Sequence, residues 1–335
     1  MLKRLLKWLV VLIVLLAAFY ILGPHPSSPN YTSVLPAVPA NATELERYIQ
    51  HNEAQHKLKP GNEAKIVWAN DSLKQKTEYA IVYLHGFSAS QEEGAPVHIN
   101  IAKKFGCNLY LARLAEHGID TTEQMINLTA GKYWETVKQA YAIGKQLGNK
   151  VIIMGTSTGG SNALQLAANY PEISGIVLLS PNIEINDPNA WLANNAWGLQ
   201  IARLVKKSDY ITTKDQRDIF KQYWYSHYRL EAVVNLQEYL ETTMTKENFS
   251  KVKQPALVLY YYRDNIHQDS VVKVSAMLKM FDELGTAPEQ KRKLAMPNTG
   301  DHVIAGYIKS NDYQGVEAEI TKFMMDVLKM NLIQQ

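Results

Sequence analysis

The stretch Lys150-Val-Ile-Ile-Met-Gly-Thr-Ser-Thr-Gly-Gly-Ser-Asn-Ala-Leu164 decides how this chain folds. Val151 to Met154 is an unbroken apolar run. A run that continuous reads as a strand in a sheet covered on both faces. Gly155-Thr156-Ser157-Thr158-Gly159 follows and fits the pattern Gly-x-Ser-x-Gly. Beyond it Ala163, Leu164, Leu166 and Ala167 recur at helical spacing. Ser157 therefore stands in a tight turn between a strand and a helix, the context that presents a serine as a nucleophile. Gly155 and Gly159 flank it because side chains there would meet crossing backbone. The helix points its N-terminus at the serine, where it favours developing negative charge.

The same reading extends along the chain. Thr43 to Gln50 predicts a short helix; Ala64 to Trp68 and Tyr79 to Leu84 predict strands, with Asn70-Asp71-Ser72 a turn between them. Glu92 to Phe105 reads as a helix, Cys107 to Leu111 as a strand, and Tyr133 to Leu147 as the helix before the serine strand. Ile176 to Leu179 and Pro255 to Tyr262 are further apolar strands, and Lys293 to Met296 a short one. Ser270 to Leu284 and Val316 to Leu328 read as helices. Strands alternating with helices imply an α/β fold, a mostly parallel central sheet with helices on both faces. From Pro181 to Lys253 the pattern turns helical and aromatic and interrupts the alternation; residues 182–252 are read as a helical cap.

The first residues, Met-Leu-Lys-Arg-Leu-Leu-Lys, precede an uncharged segment from Trp8 to Leu22. Those 15 residues are short for a membrane span, which needs about 20. Counting back to Leu5 across Lys7, whose amine can snorkel, makes a span feasible. Phe19 to Leu22 are all bulky, so no small-x-small cleavage site follows closely. Residues 1–23 are read as an uncleaved anchor, with a cleaved signal peptide as the alternative; either way the remainder is exported. Residues 24–40, rich in Pro and Ser, read as an extended tether, and 41–335 as the catalytic domain. Formal net charge is +3, which Lys3, Arg4 and Lys7 account for, so there is no basic stripe for nucleic acid. Cys107 is the only cysteine; it excludes an internal disulfide and reads as a buried small hydrophobe.

A serine hydroxyl needs a base. In the strand–turn–helix context the partners follow in the order serine, acid, histidine. Of His227, His267 and His302, the last follows the final short strand in Asn298-Thr-Gly-Asp-His302, where a base would reach the serine. Two carboxylates compete for the acid: Asp264, nearer the end of the preceding strand, and Asp269, which opens the next helix. Asp301 lies beside His302 and breaks the chain order. An oxyanion needs two backbone N–H donors, expected from Thr158 and from Phe87 in His85-Gly86-Phe87-Ser88.

Four segments together resemble the α/β-hydrolase superfamily, in the group that holds monoacylglycerol lipases, bacterial carboxylesterases and serine aminopeptidases. They are His85-Gly86-Phe87, Arg113-Leu-Ala-Glu-His117-Gly118, the turn Gly155 to Gly159, and Asp269-Ser-Val-Val followed by Gly300-Asp-His302. The resemblance spans Ala64 to Leu328 and implies an α/β-hydrolase fold with a triad of Ser157, Asp269 and His302. It favours Asp269 because the group's acid is usually followed by x-Val-Val. The group's Arg-Leu-Pro-Gly-His-Gly appears here with Ala115 and Glu116 in place of Pro and Gly. That loop is usually structural, so Arg113 and His117 carry no catalytic role.

The cap holds Trp191, Trp197, Tyr210, Phe220, Tyr223, Trp224, Tyr225 and Tyr228, which suit a cap core and an acyl pocket. Glu231 and Glu238 are its candidates for holding a peptide's amino terminus, against which a solvated helix face weighs. The chain has no Gly-x-x-x-x-Gly-Lys and no His-Glu-x-x-His, so no nucleotide, zinc or other cofactor is implied. The reading is a serine hydrolase of small ester or lipid-like substrates that meets the membrane through its first segment. A serine aminopeptidase and an acyltransferase are alternatives on the same fold, and a silent binding protein is a remote one.

Overall fold

Parallel pairing of apolar strands builds the sheet. The computed structural model describes residues 2–333. Its strands are β1 (Lys65–Val67), β2 (Thr77–Leu84), β3 (Asn108–Leu111), β4 (Gly148–Thr156), β5 (Gly175–Leu179), β6 (Tyr210–Thr212), β7 (His227–Arg229), β8 (Ala256–Tyr260) and β9 (Lys291–Ala295). Seven form one sheet in the order β1-β3-β2-β4-β5-β8-β9. Only β1 runs antiparallel to its neighbour, with Ile66 opposite Tyr110; the other pairs in this sheet are parallel. β2 and β4 are the centre, and their register sets Leu84 opposite Gly155.

Side chains alternate across this sheet, as strand geometry requires. In β2, Ala80, Val82 and Leu84 join one apolar cluster while Ile81 and Tyr83 join another. In β4, Val151 and Ile153 face the first cluster, Ile152 and Met154 the second. Because both faces are covered, each strand reads as continuously apolar rather than alternating.

The helices are α1 (Leu2–Ile21), α2 (Ala42–Glu53), α3 (Val97–Phe105), α4 (Ala130–Leu147), α5 (Thr158–Asn169), α6 (Gly198–Lys206), α7 (Asp218–Tyr223), α8 (Leu230–Thr243), α9 (Lys246–Lys251), α10 (Val274–Glu283) and α11 (Tyr313–Asp326). α4, α5 and α10 supply the first cluster through residues such as Trp134, Leu164 and Met277. α3 and α11 supply the second through Ile101 and Phe323.

The helix expected over Glu92 to Phe105 is broken. Gln91–Gly94 forms a single tight turn, and α3 begins only after Pro96. Proline has no N–H to donate, so the turn before it cannot continue into the next helix. The insertion between β5 and β8 departs from a purely helical reading as well. Besides α6 to α9 it carries an antiparallel ribbon of β6 and β7, with Ile211 opposite Tyr228.

α1 is 20 residues long with mean hydropathy 2.2 over its most apolar window, long and apolar enough to cross a membrane. None of its residues is buried. At its end Phe19 stacks on Trp197 with ring centroids 4.5 Å apart, and Trp197 Nε1 donates to Phe19 O at 3.0 Å.

Residues 24–40 carry no helix or strand and are pinned along their second half. Trp134 Nε1 donates to Thr32 O at 2.8 Å, and Tyr170 OH to Ser33 O at 2.9 Å. The Lys138 ammonium, otherwise buried, donates to Thr32 Oγ1 and Val34 O. Tyr31 packs edge-on against Trp134 and Tyr239.

Candidate active site

The C-terminal ends of the parallel strands converge, which is where open α/β sheets hold their ligands. His85 to Ser88 follow β2, Ser157 follows β4, Asn182 follows β5, Asp269 follows β8 and His302 follows β9. A cavity of about 540 Å³ lies there. Ser157, Phe87, Asn182 and His302 line it together with Phe220, Trp224 and Tyr228 from the insertion.

Ser157 has φ 54° and ψ −120°, backbone that side-chain-bearing residues rarely adopt. Such a residue costs on the order of 1–3 kcal/mol and persists only where its surroundings hold it. Here they do: Ser157 N donates to Leu179 O at 2.8 Å, and Ser157 O accepts from Asn182 N and Gly160 N, each at 2.9 Å. The flanking glycines permit the turn. A Cβ on Gly159 would lie 1.9 Å from Leu84 O, and one on Gly155 would lie 2.2 Å from Gly159 O. No side chain fits at either position.

His302 is buried, and its Nδ1 donates to Asp269 Oδ2 at 2.6 Å. Asp269 Oδ1 accepts from the N–H groups of Val271 and Val272, at 2.8 and 3.0 Å. One carboxylate oxygen is thereby held by backbone and the other by the imidazole. Burial alone would lower the His302 pKa, but the Asp269 charge and hydrogen bond outweigh it and hold the pKa above the ordinary histidine value. His302 Nε2 has no hydrogen-bond partner among the described residues and shares the cavity with Ser157.

The segment after β8 explains how two carboxylates five places apart reach different surroundings. It leaves the sheet and returns: Tyr262 pairs with Gln268, and Asp269 N donates to Tyr261 O at 3.1 Å. Asp269 is thus carried back beside the strand end. Asp264 stays on the exposed tip, where its carboxylate meets His267 Nδ1 at 2.9 Å and the N–H groups of Ile266 and His267. Asp301 sits beside the cavity with Lys309 Nζ 3.2 Å from its carboxylate.

Phe87, in the loop after β2, and Thr158, at the start of α5, are neighbours because Leu84 and Gly155 are paired across β2 and β4. The loop bearing Phe87 is set by two buried imidazoles. His85 Nε2 accepts from Leu114 N at 3.1 Å, and His117 Nε2 accepts from Ser88 N at 3.0 Å. Each donates through Nδ1 to a carbonyl, Gly86 O and Ala115 O respectively. Burial pushes the His85 pKa down to about 4 and that of His117 well below its ordinary value, so both stay neutral and keep these tautomers. Arg113 pairs with Glu53 through two contacts of 2.7 and 3.0 Å, which tie the same loop to α2. Glu116, at the position where the resemblance has glycine, takes φ 65°.

Two residues at the site escaped the sequence reading. Asn182 donates from Nδ2 to Thr158 Oγ1 at 3.2 Å besides bracing Ser157 O; its place just past a strand end was the available signal. Glu93 was read as part of a helix. It is buried, lines the cavity, and its Oε2 accepts from Gly86 N at 2.6 Å. Nothing in its local sequence marks it. In the insertion, Glu231 pairs with Arg203 and Arg229, and Glu238 accepts from Asn194. Neither lines the cavity.

Comparison with known proteins agrees with this architecture. A thermostable monoacylglycerol lipase of Bacillus sp. (strain H-257) is 25% identical over 186 residues, covering 56% of this chain and 70% of the lipase. Among solved structures, one from a study of LipS and LipT, two metagenome-derived lipolytic enzymes, matches with TM-score 0.62 and 18% identity. That match covers 80% of this chain and 99% of the other. A Paleococcus ferrophilus monoacylglycerol lipase matches with TM-score 0.55 and 14% identity, over 78% of this chain and 98% of that one. The family described as serine aminopeptidase, S33, matches residues 126–299, a span that takes in Ser157 and Asp269 and stops short of His302. That span is just over half of the chain, which therefore belongs to the S33 serine aminopeptidase family of the α/β-hydrolase superfamily.

Proposed function

We propose that this chain is a serine hydrolase that cleaves carboxylic esters through an acyl-enzyme. Ser157 Oγ attacks the ester carbonyl carbon while His302 Nε2 takes the hydroxyl proton. The carbonyl oxygen becomes an oxyanion and meets the N–H groups of Phe87 and Thr158. The intermediate collapses, the carbon–oxygen bond to the alcohol breaks, and His302 returns the proton to the leaving oxygen. Water then repeats the sequence on the acyl-serine, regenerating Ser157 and releasing the acid. Asp269 holds the imidazole's tautomer and offsets its charge. The observation that carries this reading is a strained serine and a carboxylate-backed histidine, its Nε2 unpartnered, in one cavity.

The lining supports ester over peptide. Residues 182–252, which we read as a cap, contribute Ile211, Phe220, Trp224, Tyr228, Val233 and Leu236 to the cavity, while the carboxylates that line it from elsewhere, Glu93 and Asp301, are engaged by Gly86 N and Lys309. The lipase relatives point the same way. Each methylene buried in that lining contributes at most about 0.8 kcal/mol, or roughly fourfold. In a series of p-nitrophenyl esters, kcat/KM is therefore expected to rise with acyl length until the cavity is full, then fall. No turnover of any ester together with cleavage of alanine or proline anilides would move the chain to the aminopeptidase reading.

The apolar α1 behind a basic start supports a second part of the proposal, a membrane anchor with the catalytic domain outside the cytoplasm. Cell fractionation is expected to leave the full-length chain in the membrane, and a mature N-terminus mapped beyond residue 22 would replace the anchor with a signal peptide.

A further inference from the structure

Glu93 is a buried carboxylate that the ester chemistry above does not use. It lies on the tight turn Gln91–Gly94 and reaches under the loop after β2. Its Oε2 accepts from Gly86 N at 2.6 Å, the N–H one residue before that of Phe87. The closeness is three-sided. A Cβ built on Gly86 would lie 2.9 Å from Glu93 Oε1 and 3.1 Å from Ser157 Cβ. The carboxylate, the Phe87 turn and the serine are therefore packed without an intervening side chain.

We propose that Glu93 is a positioning residue of the oxyanion loop, holding the Gly86–Phe87 turn in both protonation states and opposing the oxyanion when ionised. The inference rests on the proposed roles of Ser157, His302 and Phe87. A neutral carboxyl keeps a carbonyl oxygen to accept from Gly86 N–H and adds no charge. A carboxylate keeps the same bond but sets a negative charge beside the place where the substrate oxygen becomes negative, in a buried setting that screens it weakly.

The surroundings favour a change of state near neutrality. From the β9 side it faces His302 and Asp301, the latter paired with Lys309. From the insertion it faces the Trp224 indole. Tyr83 of β2 and Tyr133 of α4 also feel its charge, and both phenols are held neutral by burial. His98 of α3, one turn on, is pushed down to about 4 by burial and donates Nε2–H to Gln91 O, so it carries no charge. Burial outweighs the Gly86 hydrogen bond and the attraction of His302, and pushes the Glu93 carboxyl up to about 7. The ionised carboxylate in turn raises the His302 pKa. The two groups titrate as a coupled pair.

The test is the pH profile of kcat/KM for an uncharged p-nitrophenyl ester, measured on the full-length wild type and Glu93→Gln. The amide keeps a carbonyl for Gly86 N–H and never ionises. Wild type is expected to give a bell, because the active form pairs a neutral His302 with a protonated Glu93, with an alkaline fall of about tenfold or more as the pair loses its last proton. Glu93→Gln is expected to keep its activity on the alkaline side, because the amide never ionises, while its acid limb, set by His302 beside an uncharged group, lies no lower than that of wild type. A merely structural glutamate would change the height of the profile and leave its shape. A wild-type profile with no alkaline fall would overturn the proposal even if the variant does not fold, as would a Glu93→Gln profile that parallels wild type. Labelling of Ser157 by a fluorophosphonate separates the failures: absence of labelling defeats the underlying triad reading, whereas labelling with parallel profiles defeats only the role of Glu93.

Discussion

Ser157→Ala is expected to lower kcat on the order of 10⁶-fold, to abolish fluorophosphonate labelling, and to leave the melting temperature within a few degrees of wild type. The size follows from the division of labour. Without the hydroxyl no acyl-enzyme forms, and His302 and Asp269 have nothing to activate. What survives is the binding and oxyanion contribution, which in such sites still exceeds water by several orders of magnitude. The fold should tolerate the change because the turn is held by main-chain bonds, from Ser157 N to Leu179 O and from Asn182 and Gly160 to Ser157 O. Those bonds are indifferent to the side chain. Equal labelling of wild type and variant would mean that another residue is the nucleophile.

Asp269→Asn is expected to cost about 10⁴-fold in kcat, with the fold intact. The reason lies in which oxygen faces what. Asp269 Oδ1 accepts from two backbone N–H groups, while Oδ2 accepts from His302 Nδ1. An asparagine keeps its carbonyl oxygen on the two N–H donors and turns its NH₂ to the imidazole. Nδ1 must then accept, the proton moves to Nε2, and the ring can no longer take a proton from Ser157. The opposite amide orientation would set NH₂ against two N–H groups and lose both bonds. Asp264→Asn, on an exposed tip bonded to His267, is expected to stay within about twofold of wild type. The reverse ranking, measured with one ester substrate, would exchange the two carboxylates.

The central part of this architecture was legible because local and global signals agree there. The apolar run Val151 to Met154, the two glycines and the helical spacing after them all describe a strand, a turn and a helix, and they form β4 and α5. The location of His302 past the last short strand was legible; its bond to Asp269 is what the structure adds. The choice between Asp264 and Asp269 was not readable from spacing, because the loop doubles back through the Tyr262–Gln268 pair and sequence distance from β8 ceases to measure spatial distance. The ribbon of β6 and β7 escaped because each strand has three residues, too few for an alternation to show. The break at Pro96 was legible in principle, since proline ends the turn before it. Glu93 was not, because its burial depends on Gly86 and on Trp224, more than a hundred residues away in the chain.

Residues 24–40 would, as a free chain, let their ends wander over roughly 20–25 Å. The bonds from Trp134, Lys138 and Tyr170 to Thr32, Ser33 and Val34 remove most of that slack, and Trp197 holds the last turn of α1. The leash is short and nailed down. If α1 is the anchor proposed above, these bonds leave the catalytic body little slack to swing on its tether, and its opening is biased towards one height above the lipid. Under that proposal the search for substrate would be closer to planar: what varies between encounters would be position along the sheet of lipid more than the way the enzyme is turned.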